Sequence, residues 1–172
     1  AYVQEGTPLP EKPVMLTFDD GYYNNYYYGF PLLQQYNSKA VIAVIGYYSD
    51  IYSQNEEKSA YYSHITWNEI KEMSDSGLVE IANHTYNLHS QKSGKMGVAR
   101  LSGENDETYL SRISEDIIKM QDLLFEKTGI DSDIFVYPFG IAPEASRELI
   151  KNLGFICSFS CEGKKSVITR NP

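Results

Sequence analysis

Pro13-Val14-Met15-Leu16-Thr17-Phe18-Asp19-Asp20-Gly21 is the stretch on which the fold turns. A short, mostly apolar run goes straight into two acids and a glycine. Such a run, stopped by turn residues, reads as a buried strand that hands its last side chains to a loop. Adjacent carboxylates repel one another unless a cation or a proton lies between them. A strand points neighbouring side chains to opposite faces, but Gly21 lets the backbone swing, so Asp19 and Asp20 can both address one cavity. An isolated Asp-Asp-Gly serves equally well as an Asx turn or a helix cap, so the rest of the chain has to decide.

Downstream the same unit recurs. Residues 24–36 carry Tyr26, Phe30, Leu33 and Tyr36 at helical spacing, with a bend expected at Gly29 and Pro31. Residues 40–45 (AVIAVI) read as a second buried strand, and the polar, Tyr-rich residues 46–63 as a loop with short helical turns. Thr66 can cap a helix over 67–76, with Glu69 completing a capping box and Gly77 ending it. Residues 78–82 form the third strand, and 85–105 a long loop. Leu110, Ile113, Ile117, Met120 and Leu124 mark an amphipathic helix over 106–127, closed by Gly129. A fourth strand (134–137), a Pro-started helix (143–153) and a fifth strand (155–159) follow. Strand–helix alternation implies parallel strands joined by right-handed crossovers. An open doubly wound sheet and a closed barrel both satisfy it, and in both the sites form at the carboxyl ends of the strands.

At 172 residues the chain fits one domain with a substantial core. Fifteen Lys and Arg against 23 Asp and Glu leave a net charge of −8, which argues against nucleic acid or an anionic membrane face as partner. No apolar run approaches the roughly 18 residues a membrane span needs, and the first residues carry no signal-peptide pattern. Cys157 and Cys161 would lie about 13 Å apart on a continuous strand, too far for a disulfide, and read as two small buried hydrophobes.

Three polar clusters fall at strand ends: Asp19-Asp20-Gly21, Asn83-His84-Thr85 and Tyr137-Pro138-Phe139-Gly140. His89 lies five residues beyond His84. On a regular helix that offset separates side chains by about 140°, so a loop or a π-bulged turn must bring the pair together. One carboxylate with two imidazoles makes a three-ligand site with open positions, the pattern of a catalytic metal.

Thr17-Phe18-Asp19-Asp20-Gly21, His84-Thr85-Tyr86-Asn87-Leu88-His89 and Tyr137-Pro138-Phe139-Gly140, in this order, resemble the first three motifs of the NodB-like polysaccharide deacetylases (carbohydrate esterase family four). The resemblance covers residues 13–160 and includes the stretch from His64 through Ile81. It implies an α/β fold, a distorted (β/α) barrel with fewer than eight strands, as a single domain over 1–172 from which C-terminal elements can be missing. It implies Asp19 as catalytic base and Asp20, His84 and His89 as ligands of a divalent cation: zinc first, with cobalt, manganese or nickel as alternatives. Tyr22 and the Tyr137–Gly140 turn would then bind substrate and oxyanion. Implied too are an N-acetylhexosamine polysaccharide or oligosaccharide substrate (peptidoglycan, chitin-like or poly-N-acetylglucosamine) and an extracytoplasmic location. Some members of the family remove O-acetyl groups from xylan instead.

The chain departs from the family pattern in three places. The His-x-x-x-x-His spacing is one residue longer than the commoner form, as in a known subgroup. Val136 stands where an arginine usually orients the base, an apolar third motif resembling that of exopolysaccharide deacetylases. No histidine follows His89, where the family expects a late histidine as general acid, and His64 is the one spare imidazole. These departures keep a degenerate carbohydrate-binding relic in view. Two imidazoles and a carboxylate also form the facial triad of non-haem iron oxygenases, but those sites usually sit in antiparallel β-rolls, not in β/α alternation. The chain has 15 tyrosines. Those after Asp-Asp-Gly and those at 47, 48, 52, 61 and 62 read mainly as core and half-buried surface, a few as sugar-stacking walls.

Overall fold

The computed structural model describes residues 5–55, 57–89 and 96–161. Strands β1 (Leu16–Phe18), β2 (Ala40–Val44), β3 (Val79–Asn83), β4 (Ile134–Val136) and β5 (Cys157–Phe159) form one sheet. They lie side by side in chain order, and each neighbouring pair is parallel. That order decides between the two architectures. A doubly wound sheet reverses its strand order at a switch point. Here every crossover steps the same way, and right-handed crossovers then place the helices on one face. The sheet curls about its other face into a half-barrel, a distorted barrel with fewer than eight strands.

The period of two along each strand sorts side chains between the faces. Ala40, Ile42 and Val44 of β2, with Val79 and Ile81 of β3, pack outward against helices. Val41, Ala43, Ala82, Ile134 and Val136 line the concave face, joined by the half-buried Cys157 and Phe159. β2 is covered on both sides and is buried throughout, which is why it reads as an unbroken apolar run.

Helix α1 (Phe30–Tyr36) continues from a π-helical turn over Asn25–Gly29, so the expected bend appears as a change of helical pitch. Pro31 sits in the first turn of α1, where its missing N–H costs nothing. α2 spans Gly46–Ser53, and α3 spans Trp67–Asp75. The capping box of α3 is formed in both directions: Thr66 Oγ1 accepts from the Glu69 N–H at 3.3 Å, and Glu69 Oε2 from the Thr66 N–H at 2.8 Å. α4 (Asp106–Thr128) is capped by Asn105 and ends at Gly129 with φ 77°. α5 covers Glu144–Asn152 behind Pro143. The stripe of α4 spans both outer cores, Ile113 and Ile117 in one and Met120 and Leu124 in the other. Full burial of each such side chain stabilises by roughly 1.5–3 kcal/mol.

Three expectations need correction. The first strand is not buried: β1 is an edge, and Val14 before it is 84% exposed. Residues 46–53, read as part of a loop with short helical turns, form one continuous two-turn helix. Its first two N–H groups are satisfied from outside, Gly46 by the Thr85 carbonyl at 3.2 Å and Tyr47 by that of Tyr86 at 2.9 Å. No capping side chain announces it. Cys161 is exposed rather than buried, and neither cysteine is in a disulfide.

Candidate metal centre

The three polar clusters meet at the carboxyl rim of the sheet, and each contains a non-glycine residue with left-handed backbone. Asp20 has φ 70°, Thr85 φ 70° and Phe139 φ 58°. The conformation costs on the order of 1–3 kcal/mol per residue and recurs where a site dictates geometry. The fourth such residue described, Asn37, merely ends α1. At the first cluster the turn therefore begins in Asp20 itself and continues through Gly21, whose φ is 65°. A Cβ on Gly21 would lie 3.0 Å from Val44 Cγ1, so glycine is required there on two counts.

Asp20 Oδ1 faces His84 Nε2 at 3.4 Å and His89 Nε2 at 3.2 Å, and one ligand atom from each residue fits within a 4.8 Å span. His84 is 1% exposed. Its Nδ1 lies 2.7 Å from the Val136 carbonyl. A carbonyl only accepts, so Nδ1 carries a proton and Nε2 is the ring nitrogen that faces Asp20. The rings of His84 and His89 are 5.1 Å apart, and His89 stacks on Phe139 at 4.3 Å. Asp20 Oδ1 is buried without a hydrogen-bond partner among the described residues. A buried carboxylate oxygen in that state is costly. Two imidazole Nε2 atoms converge on it, and a divalent cation at their focus would relieve that cost. The donor set, one oxygen and two nitrogens with open positions, suits zinc or a neighbouring first-row ion.

The electrostatics agree. The His84 imidazole, against the effect of burial, holds the Asp20 carboxyl below its ordinary range. Burial lowers His89 as well, with the Asp20 charge opposing. Both groups are thus kept in the deprotonated form that a metal requires.

Asp19 is exposed, and its charge reaches His89. It stands at the rim beside the ligands rather than among them. Tyr22 stacks on His64 at 4.5 Å, and burial followed by the Asp20 charge raises its phenol. In the third cluster, Pro138–Gly140 form a tight 3-10 turn. The Tyr137 N–H bonds Phe159, that of Gly140 bonds Tyr137 and that of Ile141 bonds Pro138, which among the described residues leaves Phe139 as the turn's remaining backbone donor. A Cβ on Gly140 would come within 2.7 Å of Cys161. The Tyr137 side chain does not reach the rim. It shares the outward parity of Phe135, lies edge-on to that ring at 4.9 Å and is 2% exposed, so its part is to hold the turn.

His64 is brought close to the centre by an antiparallel bridge to Tyr22. Its ring is sandwiched between Tyr22 and Tyr48, the latter at 4.3 Å, and burial pushes its pKa down to about 4. It is neutral at physiological pH.

Two further residues build the site, Asn83 of the second cluster and Asp116, which no motif marks. Asn83 Oδ1 accepts the Thr85 N–H at 2.9 Å, while its amide bonds Ile117 and Gln121 at 3.1 and 3.2 Å. Asp116 accepts the N–H groups of Tyr86 and Asn87. The one trace of Asp116 in the sequence is an acid beside the apolar stripe of α4.

Residues 6–157 match the family model described as polysaccharide deacetylase. The poly-beta-1,6-N-acetyl-D-glucosamine N-deacetylase of Escherichia coli (strain K12) is 33% identical over 177 residues, covering 91% of this chain and 26% of that protein. A de-N-acetylase of Aggregatibacter actinomycetemcomitans superposes with TM-score 0.80 at 30% identity, over 95% of this chain and 68% of that one. The BpsB deacetylase domain of Bordetella bronchiseptica gives 0.75 at 30%, over 89% and 65%. The chain thus spans about a quarter of the E. coli relative and about two thirds of the solved chains. With the matched region running from ahead of β1 into β5 and taking in all three rim clusters, the chain belongs to the polysaccharide deacetylase family.

Proposed function

We propose that residues 1–172 form a single domain of a metal-dependent deacetylase that removes N-acetyl groups from an N-acetylhexosamine polysaccharide outside the cytoplasm. Poly-β-1,6-N-acetylglucosamine is the first substrate to test, since that polymer is named for relatives at 33% and 26% identity. The observation that carries the reading is the convergence of two imidazole nitrogens on a buried Asp20 oxygen that lacks a hydrogen bond among the described residues.

Asp20, His84 and His89 would hold a divalent cation, zinc by preference, which would supply Lewis acidity toward the acetyl carbonyl and toward a water. Asp19, the exposed carboxylate beside Asp20 in the chain, would accept a proton from the attacking water. The backbone N–H of Phe139 donates to the oxyanion that develops on the acetyl oxygen, a contact worth about 3–4 kcal/mol in comparable sites. The left-handed turn at Phe139 sets the direction of that N–H, and its ring braces His89. Tyr22, exposed on one face and backed by His64 on the other, offers a flat wall to a pyranose ring.

The test is amine release from β-1,6-linked N-acetylglucosamine oligomers by protein loaded with one equivalent of zinc. Metal-dependent release that chelation stops and zinc restores supports the reading; no zinc binding above non-specific levels removes it.

A further inference from the structure

The two histidine ligands are five residues apart, and neither helical nor strand regularity brings such a pair to one point. Something outside the loop must set its curvature. Asp116, half-buried on α4, is placed to do so. Its Oδ1 accepts the Tyr86 N–H at 2.7 Å, and the Asn87 N–H lies 3.2 and 3.0 Å from its two oxygens. Those peptide groups sit in the middle of the segment between His84 and His89. Hydrogen bonds to an ionised carboxylate contribute roughly 1.5–3 kcal/mol each, enough to select one loop shape over its alternatives. One turn along α4, the Lys119 ammonium lies 3.5 Å over the Tyr86 ring, whose hydroxyl bonds Asp50 at 3.1 Å. From the opposite side, the Tyr86 carbonyl receives the Tyr47 N–H of α2. The loop is gripped by backbone and by ring, and the only carboxylate bonded to its N–H groups among the described residues is Asp116.

We propose that Asp116 is a positioning residue of the metal centre: by clamping the Tyr86 and Asn87 peptides it bends the loop so that His89 meets Asp20 and His84 around one ion. This rests on the metal-centre reading above. It differs from a merely structural anchor, which would change how much protein folds and leave the affinity of folded protein for metal unchanged.

The experiment titrates cobalt(II) and zinc into wild type, Asp116→Ala and Asp116→Asn under conditions where circular dichroism shows each metal-free protein folded. Asp116→Ala should bind about 10–100-fold more weakly, the range for loss of a group that orients ligands, with a changed cobalt d–d spectrum. Asp116→Asn keeps one acceptor oxygen and should recover part of the affinity. If the alanine variant does not fold, the asparagine variant alone decides, with several-fold weaker binding expected. Unchanged affinity and spectrum in a folded variant, while wild type binds one equivalent, overturns the role of Asp116 and leaves the metal centre standing. Failure of wild type itself to bind overturns both.

Discussion

His84 Nδ1 lies 2.7 Å from the carbonyl oxygen of Val136, the residue that occupies the place of the usual arginine. The Val136 side chain fills the concave core while its carbonyl fixes the imidazole tautomer, so one residue ties the interior of the half-barrel to the ligand geometry. On the proposed metal centre, losing His84 would remove a ligand rather than a support. His84→Ala should therefore weaken zinc binding by more than the roughly 100-fold that loss of a supporting partner can cost. Calorimetric titration measures this, and near-wild-type affinity would mean that the ion sits elsewhere.

Asp19 should behave differently. Its carboxylate is exposed and outside the ligand set, whereas Asp20 is within it. Asp19→Asn is expected to keep one equivalent of zinc and to lose roughly 10²–10⁴-fold in turnover, the usual contribution of a general base. Asp20→Asn should lose the metal first. An exchange of these two phenotypes would reverse the roles.

The contrast between these aspartates shows what the sequence makes legible. The alternating β/α order and the three rim motifs are written in local patterns, short apolar runs ended by turn residues, and the structure keeps their order. Local pattern alone did not separate barrel from doubly wound sheet, because the two differ in which strand lies beside which; the motif resemblance did, and the strand order agrees with it. The exposure of β1 was missed for a related reason: an apolar run does not reveal whether its strand is central or at an edge. α2 was missed as one continuous helix because its capping carbonyls, Thr85 and Tyr86, lie about forty residues away in sequence. Asp116 and the Val136 carbonyl escaped because they act through backbone groups, and only the folded chain reveals those pairings.

His64 gives a pH signature. Its pKa is about 4 in the folded chain against about 6.5 when exposed, so the unfolded state binds the extra proton first. The stability from keeping this ring neutral is complete above about pH 6.5. It is lost as pH falls toward about 4, at up to about 1.4 kcal/mol per pH unit. Urea unfolding of metal-free protein between these limits should show the slope, and His64→Phe, which preserves the stack between Tyr22 and Tyr48, should flatten it. Equal slopes in both proteins would place the titration in other groups.

Tyr22 is 37% exposed with its other face on His64, an arrangement suited to stacking on a sugar. Tyr22→Ala should raise KM for oligomeric substrate several-fold, since stacking pairs contribute about 0.5–1.5 kcal/mol beyond the area they bury. Tyr22→Phe should stay near wild type. If phenylalanine is as damaging as alanine, the hydroxyl beside Asp20 matters and the ring face does not.

The last prediction concerns the proton that an amine leaving group must receive. No imidazole follows His89 in the chain, and His64 is neutral and walled in by tyrosines. Downstream of His89, the Tyr137 ring is in the outer core, and burial pushes the Cys157 thiol up to about 11. Cys161 is exposed and packs against Gly140, and Glu162 lies outside the described residues. An acetyl ester needs less help, because an alkoxide leaves far more readily than an amide anion. The 172-residue chain with zinc should therefore hydrolyse an activated acetyl ester measurably while releasing amine from N-acetylglucosamine oligomers slowly, unless a histidine is supplied from beyond these residues. Metal-dependent amine release at the rate of relatives that carry the late histidine would refute this. Persistence of that release in His64→Ala would then show that the proton comes from no imidazole outside the metal ligands, and a water or an exposed thiol would take the role.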